Sequence, residues 1–198
     1  MTKVFVIGFN KCGTTSLHAF FRASGLSCAH WRLSRDRTLA GAMFSNLSLQ
    51  RHVLEGFSGF DVYSDINHLS DTVHLEANTL FRTLDATVPD ARFILNTRDK
   101  DRWLASRARH GSPTTGSFLA RARKCYGASR EEVLAIWSDQ WDRHHAAVTE
   151  YFADKPGRLL VFDIETDPVD KLVSSFEGSF QLDPQHWGWR NRTGARAG

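Results

Sequence analysis

Apolar residues fall along this chain in short runs ended by glycine, and between the runs in stripes of helical period. Residues 4–7, Val-Phe-Val-Ile, form an unbroken apolar run that stops at Gly8. A run that short, β-branched and bounded by glycine predicts a buried strand. Residues 15–24 have helical spacing and end at Gly25, which predicts a helix with a glycine stop. Residues 60–64 and 92–97 read as a second and a third strand, the latter followed at once by a helix from 99 to about 109. Residues 74–87 keep helical spacing until just before Pro89, and residues 111–116 read as a loop. Ser129 and Glu132 have the spacing of a capping box. The helix they open runs to about residue 152, with Val133, Trp137, Trp141 and Val148 on one stripe. Residues 158–163 predict a fourth strand and 169–176 a last helix, while the mixed segment 34–55 is expected to be helical in part. Strands alternating with helices predict an α/β fold, read as one domain over residues 1–198, with a mostly parallel central sheet flanked by helices.

Composition narrows the class. A chain of 198 residues can bury a sizeable core. No apolar run approaches the roughly 18 residues of a membrane span. The apolar run at 4–7 is also too short for a signal peptide and leads directly into a glycine loop. Three cysteines, Cys12, Cys28 and Cys125, are an odd number with no zinc spacing, so a reduced compartment and no metal site are expected. These features together predict a cytoplasmic protein. The net charge of +3 is scattered rather than gathered into a stripe, which argues against a nucleic-acid partner and suits a small polyanion.

The run at 4–7 feeds a glycine-bracketed turn, Gly8-Phe9-Asn10-Lys11-Cys12-Gly13-Thr14-Thr15, that opens the next helix. Amides at a helix N-terminus point outward and the helix dipole favours an anion there. Gly8 and Gly13 have the spacing of a Walker A loop, G-x-x-x-x-G-K-[ST]. The residue after Gly13 is Thr14, however, and the lysine sits inside the loop at Lys11. That displacement disfavours a P-loop kinase, which would also need an acidic strand end for magnesium, with Asp65 and Asp163 as the only choices. A phosphatase-type Cys-x5-Arg loop is excluded because the required position holds His18. Cys12, near the helix start, is expected to have a lowered pKa. A second signature lies at the end of the third strand, where Arg98 is followed eight residues later by Ser106 in the next helix. An arginine and a helical serine so placed can grip one phosphate.

The two signatures in this order resemble the P-loop sulfotransferase families that use 3′-phosphoadenosine 5′-phosphosulfate (PAPS). The likeness extends to Gly59-Phe60-Asp61-Val62-Tyr63-Ser64-Asp65 as a second strand ending in Asp, and to residues 144–162 as a long helix and following strand. Residues 186–193 resemble the family's tail. The resemblance implies a P-loop NTPase-like sulfotransferase fold. It also implies that Asn10, Lys11, Cys12, Gly13, Thr14, Thr15 and Ser16 surround the 5′-phosphosulfate, with Lys11 on the bridging oxygen and sulfuryl group. Arg98 and Ser106 would hold the 3′-phosphate, and Arg190 and Arg192 would fold over it. The implied reaction moves a sulfuryl group to a hydroxyl or amine of a small-molecule or glycan acceptor, leaving adenosine 3′,5′-bisphosphate. A small-molecule kinase and a non-catalytic nucleotide-binding module are the alternatives.

Sulfuryl transfer needs an in-line acceptor, a base for its proton and positive charge on the leaving phosphate. Lys11 can supply the charge. Asp65, expected to end a strand beside the loop, is the first candidate base; capping a loop or pairing with an arginine is its competing role. His18, one turn into the first helix, is the next candidate, and its competing role is packing. His30, His68 and Glu76 follow. Trp31 and Trp103 are placed at the border of the adenine or acceptor pocket, and residues 31–57 and 111–124 are expected to line the acceptor site.

Overall fold

The computed structural model describes residues 2–112 and 116–188. Its elements in chain order are β1 (Lys3–Val6), α1 (Thr14–Ala23), β2 (Cys28–His30), β3 (Arg32–Ser34), β4 (Arg37–Thr38) and α2 (Leu39–Ser48). There follow β5 (Val62–Ser64), β6 (Asn67–Leu69), β7 (His74–Glu76), a 3-10 turn (Ala77–Leu80), α3 (Phe81–Thr87), β8 (Ala91–Thr97) and α4 (Lys100–Ala108). The last are β9 (Gly111–Ser112), β10 (Gly116–Ser117), α5 (Phe118–Tyr126), α6 (Arg130–Phe152), β11 (Leu159–Asp163), α7 (Asp170–Ser175) and a 3-10 turn (Pro184–His186).

The central sheet has the order β11-β8-β1-β5-β2-β3-β4. Its first five strands are mutually parallel, and β3 and β4 extend it antiparallel. The parallel strands carry helices on both faces, as parallel sheets require. Strand β1 shows why. Val4 and Val6 belong to a cluster with Leu17, Phe20 and Phe21 of α1 and Leu172 of α7. Phe5 and Ile7 belong to the opposite cluster, with Met43 of α2, Phe81 of α3 and Val148 and Phe152 of α6. Phe5 stacks between Tyr63 and Phe93, at 5.1 and 5.7 Å between centroids. Each fully buried side chain of this size stabilises by roughly 1.5–3 kcal/mol relative to exposure. The result is a two-sided core that fixes where β1 ends, and hence where the glycine loop begins.

Some elements differ from the pattern-based expectation. The helix expected over 74–87 starts only at Phe81. Residues His74–Glu76 instead pair antiparallel with β6, with Glu76 opposite Asn67. The loop expected at 111–116 contains a small antiparallel pairing of β9 and β10. The strands β2, β3, β4 and β6 and the helix α5 are additions that the apolar pattern does not predict. The partly helical character of 34–55 resolves into α2, capped by the Thr38 side chain on the amide of Gly41. The capping box of Ser129 and Glu132 is present at the start of α6. Among the described residues, no helix is long and apolar enough to cross a membrane.

Candidate functional site

The glycine loop is held from behind. Asn96, at the end of β8, accepts from the Gly8 amide through Oδ1 at 2.8 Å and donates through Nδ2 to the Cys12 carbonyl at 2.8 Å. Trp103 of α4 donates its indole N–H to the Asn10 carbonyl at 2.9 Å. Arg98 donates to the Lys11 carbonyl at 3.3 Å. Three successive carbonyls are thus engaged by the β8–α4 unit. Lys11 and Gly13 both have positive φ, 69° and 75°. Left-handed residues in such a turn aim successive N–H groups inward as an anion nest. Gly13 is the N-cap of α1, and among the described residues no side chain caps this end of the helix. Gly8 is required by space: a Cβ there would lie 1.9 Å from the Asn96 carbonyl oxygen.

Asp65 follows β5 directly and stands beside this loop. Thr14 donates its hydroxyl to Asp65 Oδ1 at 3.4 Å, and Asn67 donates its side-chain amide to the same oxygen at 3.0 Å. His30 Nε2 is 3.8 Å from Asp65 Oδ2, and the Asp65 side chain is only 19% exposed. Burial, reinforced by the nearby charge of Glu76, pushes the Asp65 carboxyl up to about 6 against the pull of Thr14, Asn67 and Lys11. Asp65 also has φ 55°, a conformation that costs energy for a residue with a Cβ. Lys11 is half-buried, and burial lowers its pKa, with Arg98 adding to the fall and Asp65 opposing it. His18 stacks on His30 at 4.7 Å between centroids. The structure therefore brings Lys11, Asp65, His18, His30 and Thr14 into one region.

Arg98 lies at the carboxyl end of the sheet and forms an ion pair with Glu165, which also reaches Arg102 at 3.5 Å. Among the described residues, the buried Nε of Arg98 has no hydrogen-bond partner. Ser106 is buried in α4. Thr15 and Ser16 lie in the first turn of α1. Arg190 and Arg192 lie outside the described residues. His68, half-exposed in β6, has its pKa lowered by burial.

Three expectations are corrected. Cys12 does not have a lowered pKa: it is fully buried, and burial pushes the thiol up. Trp103 does not border an open pocket but is fully buried against the loop, while Trp31 is 39% exposed. Glu76 is no free base. It is ion-paired with Arg107, which is wholly buried among the rings of Phe9, Trp103, Phe118 and Trp137. Burial raises the Glu76 pKa, but Arg107 and His74 outweigh it and hold the carboxyl at about 2.

Sequence reasoning missed Asn96, Glu165, Ser64 and the Arg107–Glu76 pair. Asn96 had a signal, since it is a polar residue directly after the apolar run 93–95 of β8; it is fully buried, whereas Arg92 and Thr97 of the same strand are only partly so. Among the described residues, no group of three or more His, Cys, Asp or Glu side chains converges as a metal-binding set.

The parallel sheet with a helix-opening glycine loop at the end of β1 defines an α/β protein of P-loop-like architecture. A model of the sulfotransferase domain matches residues 3–123, more than half of the chain, and the chain belongs to that family. The matched segment includes β1, the loop, Asp65, Arg98 and Ser106. No curated protein matches the chain significantly.

Proposed function

We propose that the chain transfers a sulfuryl group from PAPS to a hydroxyl or amine of a small-molecule or glycan acceptor. The observation that carries this reading is the loop whose carbonyls are engaged by Asn96, Arg98 and Trp103 while Lys11 stands inside it. Such a loop favours a compact anion, and the lysine within it is suited to a charge that develops on the leaving phosphate. Asp65 is the base: beside the loop, mostly buried and poised near 6, it is ionised at neutral pH yet able to take a proton. Arg98 is the group for the donor's 3′-phosphate. That phosphate competes with Glu165 for the guanidinium, and the unpartnered Nε supports a further contact. Ser106 joins Arg98 by its place in α4.

Calorimetry tests the donor directly. Adenosine 3′,5′-bisphosphate is expected to bind at least roughly tenfold more tightly than ADP or AMP, the gain of about one well-made charged contact. Equal affinity for the three would reject this reading, and magnesium-dependent ATP turnover would replace it with the kinase one. Tight bisphosphate binding with no transfer to any acceptor of a broad panel would make the chain a binding module.

A further inference from the structure

The sheet order puts β1 between β8 and β5, with β2 and β3 beyond β5. In the proposed function the donor spans the loop after β1 and Arg98 after β8, so the ends of β5, β2 and β3 are left to the acceptor. The connections that leave β1, β5 and β2 each hold a non-glycine residue with positive φ: Lys11 at 69°, Asp65 at 55° and Trp31 at 59°. Among the described residues, Gln50 is the one other non-glycine residue so placed. A bulky aromatic side chain rarely accompanies this conformation, which persists only where the surroundings enforce it. Trp31 is held from both sides. Its amide donates to the Ser64 carbonyl at 3.1 Å, directly before Asp65, and its carbonyl accepts from the Leu39 amide of α2 at 2.9 Å. His30 and Arg32 pair across it, so Trp31 forms the corner between β2 and β3.

This corner carries an aromatic plate with a cation laid on it. Trp31 is 39% exposed, and the guanidinium carbon of Arg32 lies 4.1 Å from the centre of its ring. Arg32 also donates to the Arg35 carbonyl. Edge strands carry charges that discourage pairing with other chains, but a charge with that purpose alone needs no fixed seat. Residues 32–37 hold three arginines against one aspartate, Asp36. Among the described residues, neither Arg32 nor Arg121 of α5 has a carboxylate partner. Both act on His68 of β6, whose pKa is lowered by burial and then by Arg32, His74 and Arg121. Glu76, the further carboxylate at this end, is already matched by Arg107. The acceptor side of the site therefore holds cations that no protein group neutralises. We propose that Trp31 and Arg32 form the acceptor subsite, and that the acceptor is a sugar or phenol ring bearing a carboxylate. The ring packs on the exposed indole, the carboxylate pairs with Arg32, and the reacting hydroxyl faces Asp65. Strand spacing puts β3 about 10 Å from β5, a span that a hydroxyl and a carboxylate on one ring cover with the reach of the arginine. The assignment rests on the proposed function, in which Asp65 is the base.

Binding of matched acceptor pairs tests this. Calorimetry compares 4-hydroxyphenylacetate with 4-hydroxyphenylacetamide, and p-nitrophenyl β-D-glucuronide with the matching glucoside, on protein with and without adenosine 3′,5′-bisphosphate. In at least one pair the carboxylate member is expected to bind roughly tenfold more tightly, the factor that one charge-assisted contact supplies. Arg32→Ala should remove that preference, and Arg32→Lys, which keeps the charge, should retain part of it. Binding should also quench tryptophan fluorescence, and most of the quench should vanish in Trp31→Phe. A carboxylate member that binds no better than its neutral partner in both pairs overturns the proposal, and that comparison needs no variant to fold. So does a preference that survives Arg32→Ala, or a quench that persists in full in Trp31→Phe. None of these readouts requires turnover or a sulfuryl donor. The acceptor assignment therefore fails separately from the donor reading, which the comparison of the bisphosphate with ADP and AMP decides.

Discussion

At the scale of single residues, the site pairs a cation and a carboxylate whose environments push both toward neutrality. Lys11 is made less basic by burial and Asp65 less acidic, so each is nearer the pH at which proton transfer is efficient. Only ionised Asp65 can accept a proton. Turnover with a productive acceptor should therefore rise with pH through about 6 and level above it, falling about tenfold per unit below. A pH–rate profile that is flat from about pH 5 to about pH 8 would remove Asp65 as the base. In the proposed reaction, Lys11 would act on charge that exists mainly in the transition state. Lys11→Ala should cut turnover by roughly a hundredfold or more while weakening bisphosphate affinity less. Rate measurements beside calorimetry check the split; equal losses would make Lys11 a binding residue only.

At the scale of elements, the loop is shaped by β8 and α4 more than by its own sequence. Asn96, Arg98 and Trp103 come from one contiguous strand–helix unit and reach back to a loop near the start of the chain. The sequence made β1, the loop and β8 legible, because short apolar runs followed by glycine or, two residues on, by a charged pair leave few alternatives. It did not reveal β2, β6 or β7, three-residue strands of mixed polarity that owe their form to tertiary pairing. His74 through Glu76 share helical spacing with residues 77–87, yet pairing with β6 overrides it. Nor could spacing reveal that Arg107 of α4 would be wholly buried and paired with Glu76 of β7. That pair ties the two elements across an aromatic cluster. Arg107→Leu leaves a buried carboxylate without its main partner and should cost about 3–5 kcal/mol. For a chain of this size that is a fall in Tm of roughly 10 °C. The depressed Glu76 pKa contributes stability that is present above about 4.5 and lost as pH falls toward about 2. Thermal melts across that window, with Glu76→Gln in the Arg107→Leu background regaining part of the loss, check both statements.

At the scale of the whole molecule, the glycine loop, Asp65, Arg98, His30 and Glu165 gather at one edge. The carboxyl ends of β1, β5 and β8 deliver the glycine loop, Asp65 and Arg98, and β2 and β11 bring His30 and Glu165 to the same edge. Ligands of open parallel sheets bind there, where neighbouring strands send their connections to opposite faces. A donor with phosphates at both ends would bridge the loop after β1 and the unit after β8, and so cross-link the two halves of the sheet. Binding to the folded state alone raises stability by about 2.7 kcal/mol at roughly a hundredfold excess over Kd. Adenosine 3′,5′-bisphosphate at that excess should then raise Tm by roughly 5–10 °C. Arg98→Ala should abolish the advantage of the bisphosphate over AMP while leaving the smaller shift that AMP gives. A persistent difference between the two ligands in Arg98→Ala would show that the 3′-phosphate is held elsewhere. Glu165→Gln offers the opposite sign: it removes the carboxylate that competes for Arg98 and should tighten bisphosphate binding. Tightening in Glu165→Gln and loss of discrimination in Arg98→Ala, measured on one melting scale, would fix the orientation of the donor across the sheet.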